Sequence, residues 1–291
     1  MPTSESGRVS RALIALVGVI AVVVGVGIAF NRGVGPLPNP EGCSAHVAGT
    51  QVELSTEQAQ NASVIAAIGI RRGLPARAVS IALATAYQES KLVNVDHGDR
   101  DSLGLFQQRP SQGWGTARQV EDPYYAANRF YDELVKVHGY QTMRITEAAQ
   151  LVQRSGYPDA YSAHAEDARA LASALTGYSP AEFSCVARNA TSAPAPESGS
   201  RAREVRRDLV HAFGRIPVRA HDRQVAVRVG GHRVHGWSIA HYLVAQADRL
   251  GVTEVTYDGR VWSAGNASER GWRHEPSSSP AASRIHVTLA S

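Results

Sequence analysis

Two cysteines, Cys43 and Cys185, are the only ones in the chain, and they stand at opposite ends of one long segment. If they are joined, the two ends of that segment must lie side by side, whatever fold lies between. Closing a loop of that size stabilises a fold by about 4–5 kcal/mol in the chain-entropy model. The alternative is two separate buried thiols. The first thirty residues bear on the choice. Ala12 to Phe30, "ALIALVGVIAVVVGVGIAF", is an uncharged apolar run. At ~1.5 Å per residue it spans roughly 28 Å as a helix, close to a bilayer core. Arg8 and Arg11 precede it, and Arg32 is the next basic residue after it. The expectation is a single transmembrane helix with its N-terminus in the cytoplasm and the rest of the chain outside, at the cell membrane. A cleaved signal peptide is the alternative. Either reading exports the chain to where a disulfide persists.

With 291 residues the chain has room for two modest domains. Two Pro/Gly/Ser-rich stretches divide it, "NRGVGPLPNPEG" and "RNATSAPAPESGS". The expected organisation is a stub (1–11), an anchor (12–30), a linker (31–50), a first domain (51–186), a second linker (187–202) and a second domain (203–291). Charge follows the same division. Residues 31–186 carry 13 basic and 16 acidic side chains, and residues 187–291 carry 15 and 9. The basic second domain suits an anionic polymer. Outside the cell that polymer is a wall component and not nucleic acid.

The first domain reads as helical. Ser55 and Gln58 form a capping-box pattern, and Gly73 ends the helix they open. A second helix runs from Pro75 to about Leu92, with Ala78, Ala82, Thr85 and Ala86 on its apolar stripe. Further helices fit Pro123 to His138, Ile145 to Gln153 and Ser162 to Thr176. The second domain reads as mixed. "RQVAVRVG" alternates as a strand, and Trp237 to Gly251 is an amphipathic helix. "EVTYDGRVWSAG" is a hairpin turning at Asp258-Gly259, and "RIHVTLA" is a closing strand. The expected fold class is an α domain followed by a smaller α+β domain, behind one transmembrane helix.

Glu89 continues the apolar stripe at the C-terminal end of the second helix. Burial in apolar packing and the negative end of the helix dipole both favour the neutral acid there. A neutral carboxyl is the form from which a general acid donates. The bland reading is a helix-end glutamate that turns outward or pairs with Lys91 or an arginine.

The surrounding string "AYQES…GDRDSLGLFQQRP" resembles the lysozyme superfamily, in its goose-type lysozyme and soluble lytic transglycosylase branch. Glu89-Ser90 and Gly104-Leu105-Phe106-Gln107 match that branch's Glu-Ser and Gly-Leu-Met/Phe-Gln motifs. "AAQLVQRSGYPDAY" is a weak counterpart of a third motif, with Val152-Gln153 in place of Tyr-Asn. The resemblance covers about Gln51 to Cys185 and extends to membrane-anchored exported proteins of actinobacteria. It implies a lysozyme-like helical fold with Glu89 as catalytic acid on the glycosidic bond between N-acetylmuramic acid and N-acetylglucosamine. Ser90, Gln107, Gln108, Trp114, Gln153 and Tyr161 would contact the glycan, with Trp114 and Tyr161 as candidates for stacking on sugar faces or for core positions. Asp96, Asp99 and Asp101 all follow Glu89, and Asp101 is the candidate second carboxylate. If one faces Glu89 across a water, the reaction is hydrolysis. Otherwise the muramoyl 6-hydroxyl attacks and an anhydro-sugar forms. The bland reading of "HGDRDS" is a polar turn whose acids cap backbone or pair with Arg100 and Arg109.

The second domain is similar to a C-terminal domain of secreted actinobacterial wall proteins related to zinc D-Ala-D-Ala carboxypeptidases. His221 and His286 fit two ligand positions of that family, but Arg228 stands where an aspartate should be. An arginine removes a ligand and adds a repelling charge, so no metal and no cofactor are expected. The expected activity is peptidoglycan cleavage by a lytic transglycosylase or muramidase. The rival is a non-catalytic wall-binding scaffold. The expected partners are peptidoglycan, the bilayer through one helix, and anionic wall polymers.

Overall fold

The computed structural model describes residues 40–154, 159–192, 200–275 and 283–291. Glu41 to Ser291 form one compact unit. It opens with a hairpin of β1 (Gly42–Val47) and β2 (Thr50–Leu54). Val47 pairs with Thr50, so Ala48 and Gly49 make a two-residue turn, both at positive φ. That is the geometry that matches strand twist in a tight hairpin. β3 (Phe183–Val186) adds to the other side of β1, giving a three-stranded antiparallel sheet in the order β2-β1-β3. Cys43 and Cys185 are register partners across β1 and β3, and they form a disulfide with an S–S distance of 2.05 Å.

Among the described residues six α-helices lie between β2 and β3: α1 (Thr56–Arg71), α2 (Ala76–Ser90), the short α3 (Ala117–Val120), α4 (Pro123–Leu134), α5 (Ile145–Gln153) and α6 (Ala165–Leu175). The capping box expected at Ser55 is formed in both directions. α1 and α2 are rich in alanine and bury most of their length, which lets the helices pack closely around Ile65, Ile68, Ile81 and Leu83. Phe106 and Phe130 stack at 4.7 Å in the same core.

The rest of the unit holds α7 (Arg201–Phe213), β4 (Val218–His221), β5 (Gln224–Arg228), α8 (Arg233–Ala245), α9 (Ala247–Leu250), β6 (Val252–Tyr257), β7 (Arg260–Ser263), β8 (Arg273–His274) and β9 (Arg284–Leu289). The strands form an antiparallel sheet in the order β4-β5-β9-β6-β7-β8. Val225, Val227, Val255, Ile285 and Val287 alternate onto its buried face, and α8 covers that face. The hairpin turn at Asp258-Gly259 is present, with both residues at positive φ.

The expected fold class needs correction. The first part is not all-helical, because a three-stranded sheet brackets its helices. The strand β1 lies inside the stretch read as linker. The two parts also share one core. Trp262 and Trp272 donate their indole N–H groups to the carbonyls of Cys185 and Phe183, at 3.1 and 2.8 Å. Gln246 on α9's N-terminal side donates to Ser63 of α1 at 2.9 Å. A Cβ on Gly177 would lie 1.9 Å from the Val234 carbonyl, so only glycine lets the end of α6 meet α8. The whole unit is therefore a single α+β body built on two antiparallel sheets. Among the described residues no helix is long and apolar enough to cross a membrane. The run Ala12–Phe30, on which that expectation rests, lies outside them.

Candidate active site

α2 carries Glu89 as its penultimate residue, one turn beyond the fully buried Ala86. Lys91 closes the helix in the left-handed conformation, at φ 55°. Leu92 is left-handed as well, at φ 62°, and its N–H reaches back six residues to the Ala86 carbonyl at 3.1 Å, which satisfies a carbonyl of the last turn. This stop turns the chain sharply and leaves Glu89 at the helix's open end. The side chain is half-buried, not sealed in apolar packing as its place on the stripe suggests. Its Oε1 accepts a hydrogen bond from the Tyr161 hydroxyl at 2.6 Å.

Beyond α2 the chain returns as the Gly104-Leu105-Phe106-Gln107 string. Gly104 has φ 73°, and a Cβ there would lie 2.2 Å from the Val120 carbonyl, which is why the motif begins with glycine. Leu105 and Phe106 have no exposed surface. Their carbonyls are held from two different elements. The Ser90 hydroxyl lies 2.8 Å from the Leu105 carbonyl and 3.0 Å from that of Ala86, sharing one proton between them. Gln153, the last residue of α5, donates Nε2 to the Phe106 carbonyl at 2.8 Å. Ser90 and Gln153, expected from two separate stretches, thus meet on one short backbone segment, and Tyr161 is tied to Glu89, the residue before Ser90.

Other expected site residues do different work. The Tyr161 ring is 1% exposed, which leaves no face for a sugar to stack on, and its hydroxyl reaches Glu89. Gln108 is 1% exposed and donates to the Ala126 carbonyl at 3.1 Å, so it braces the core. Gln107 sits at φ 47° and donates towards the His97 and Gly104 carbonyls at 3.2 and 3.3 Å. Trp114 is half-buried. With Gln153, Arg129, Lys136 and Met143 it lines an open groove of about 860 Å³ whose lining does not include Glu89.

The aspartates form the polar turn that was the bland reading. Asp101 binds the Arg109 guanidinium at 2.8 Å and accepts from the Ser111 N–H and hydroxyl at 2.7 and 2.9 Å. The Ser111 N–H, followed by Arg109, holds its carboxyl well below the usual carboxylate range. Asp96 pairs with His97 at 2.9 Å, and that bond lowers it too. Asp99 lies 3.9 Å from Arg100. Each of the three is thus engaged within its own loop.

Two residues that the sequence did not single out border the site. Tyr87 and His164 stack at 4.8 Å, and the His164 Nε2 lies 3.2 Å from the Gln88 Oε1. Burial lowers the His164 imidazole against the opposing pull of Asp167. Their only sequence signal is adjacency to Glu89 and Tyr161.

The three positions compared with zinc ligands lie apart from Glu89's loop, on the six-stranded sheet. His221 is exposed beside Asp222 at 3.0 Å. Arg228 pairs in register with Arg284, and His286 with Ala226. Among the described residues no group of three or more His, Cys, Asp or Glu side chains is placed to hold a metal.

No curated protein matches the chain. Residues 187–285 match the family described as VldE, C-terminal domain. That match takes in α7 to β8 and leaves Glu89 and its string outside it.

Proposed function

We propose that the protein is an extracytoplasmic lytic transglycosylase acting on peptidoglycan, with Glu89 as its single acid. The observation that carries this reading is the 2.6 Å bond from Tyr161 to Glu89 beside a backbone string pinned by Ser90 and Gln153. The Tyr161 hydroxyl fixes Oε1 and leaves Oε2 to face the glycan. The protonated carboxyl gives its proton to the glycosidic oxygen as the C1–O bond breaks. The muramoyl C6 hydroxyl then attacks C1, and its proton returns to the Glu89 carboxylate. Atoms balance without water, and the product carries a 1,6-anhydro ring. The engagement of Asp101 with Arg109 and Ser111 favours this route over hydrolysis, which asks for a second carboxylate free to hold a water. The disulfide supports an oxidising compartment outside the cytoplasm.

Glu89→Gln tests the assignment. Lysis of purified sacculi is expected to stop while the melting temperature stays where it was. Equal lysis by wild type and variant contradicts the role given to Glu89.

A further inference from the structure

The outer face of the six-stranded sheet carries a charge arrangement that the glycosidase reading leaves unused. Arg228 and Arg284 are direct register partners on β5 and β9. Arg219 on β4 is paired with Ala226, two residues from Arg228 on the same face. Direct partners stand about 5 Å apart at Cβ and diagonal ones about 7–8 Å, within reach of long side chains. Like charges placed directly opposite destabilise a sheet. Among the described residues none of the three forms an ion pair with a carboxylate. Together with Pro217 and the small side chain of Ala226 they line a depression of about 220 Å³.

Three guanidiniums from three strands, converging on an alanine floor without a carboxylate partner, suit an anion with several oxygens. A carboxylate is matched by one arginine fork, whereas a phosphoryl group has oxygens for more than one. We propose that Arg219, Arg228 and Arg284 form a docking site for the phosphodiester groups of an extracellular polyol-phosphate polymer. Nucleic acid shares that chemistry, but single strands are held by stacking bases on aromatic side chains. This face offers none: Tyr257 and Trp262 are fully buried, and the partners across the floor are Ala226, His286 and Thr256. A second basic patch, Arg203, Arg206 and Arg207 on α7, is interrupted by Glu204 and Asp208 and provides the control.

Fluorescence anisotropy of the full chain with a labelled glycerol-phosphate dodecamer tests the site. The R219Q/R228Q/R284Q variant is expected to bind at least about tenfold more weakly with no fall in its melting temperature, since it also removes a like-charge pair from the sheet. It should also lose about 2 from the slope of log K against log salt, for three phosphate contacts at about 0.7 each. The R203Q/R206Q/R207Q variant is expected to bind as wild type does. Unchanged affinity in the first variant, or loss in the second instead, overturns the location. Absence of binding by wild type overturns the site. Equal or tighter binding of a single-stranded oligothymidylate of the same length overturns the choice of polymer.

Discussion

At the scale of single residues, a hydrogen bond joins Tyr161 to Glu89 from a turn 72 positions away. In the proposed mechanism Glu89 supplies the proton and Tyr161 holds its carboxyl, which makes Tyr161 a positioning residue. Tyr161→Phe keeps the buried ring and removes only the donor, so kcat on sacculi is expected to fall about tenfold, with KM little changed. A rise in KM with kcat intact would show a binding role instead. His241 gives a second prediction at this scale. It is fully buried, its Nδ1–H donates to the Ala174 carbonyl at 2.8 Å, and among the described residues its Nε2 has no partner. Burial pushes its imidazole down to about 4. The unfolded chain binds a proton at His241 near pH 6.5, and the folded chain does not until about pH 4. Stability is therefore full above pH 6.5 and is lost as pH falls towards 4, by about 3 kcal/mol from this group. Urea titrations at pH 7 and pH 4.5 measure the loss, and a flat profile contradicts it. Both residues show what a sequence cannot display. The string around Glu89 carries a resemblance, but which atom bonds its carboxyl depends on a turn far along the chain. That the Tyr161 hydroxyl donates to Glu89 was not legible in the sequence.

At the scale of elements, the helices were read more fully than the strands beside them. Ile145–Gln153 was legible to the residue, and the α1 capping box was written in Ser55 and Gln58, because amphipathic period and caps are local signals. The hairpin β1–β2 was missed. Its turn is Ala-Gly and not the Asn-Gly that marks such turns, and its first strand follows a Pro-rich stretch. β3 is four residues long and exists only through its pairing with β1. The aspartate loop was legible as two alternatives, and Ser111 decided between them from ten residues away. The close approach of α6 and α8 rests on Gly177, at φ 87° with no room for a Cβ. Gly177→Ala meets a backbone carbonyl that cannot swing aside. It is expected to cost about 2–3 kcal/mol of stability in denaturant titration. A loss under half a kcal/mol would mean that the two helices separate without consequence.

At the scale of the whole molecule, the helical part and the six-stranded sheet form one body, because indole N–H groups from β7 and from the residue before β8 satisfy carbonyls of β3. One unfolding transition is expected, followed alike by tryptophan fluorescence and far-UV circular dichroism. The disulfide closes the first sheet over a separation of 142 residues. Replacing both cysteines by serine is expected to lower stability by about 2–5 kcal/mol without splitting the transition. Two transitions would show that the parts fold separately. The sequence signalled a boundary near residue 188 through its Pro/Ala/Ser composition. A shared core across such a boundary has no local signature, since it depends on Trp262 and Trp272 meeting a strand about 80 residues earlier. Mass spectrometry of the material released from purified sacculi tests the central claim most directly. Wild type is expected to release 1,6-anhydro-muropeptides, and Glu89→Gln none. Muropeptides with reducing ends, no soluble product from wild type, or the same products from both proteins would contradict a transglycosylase built on Glu89.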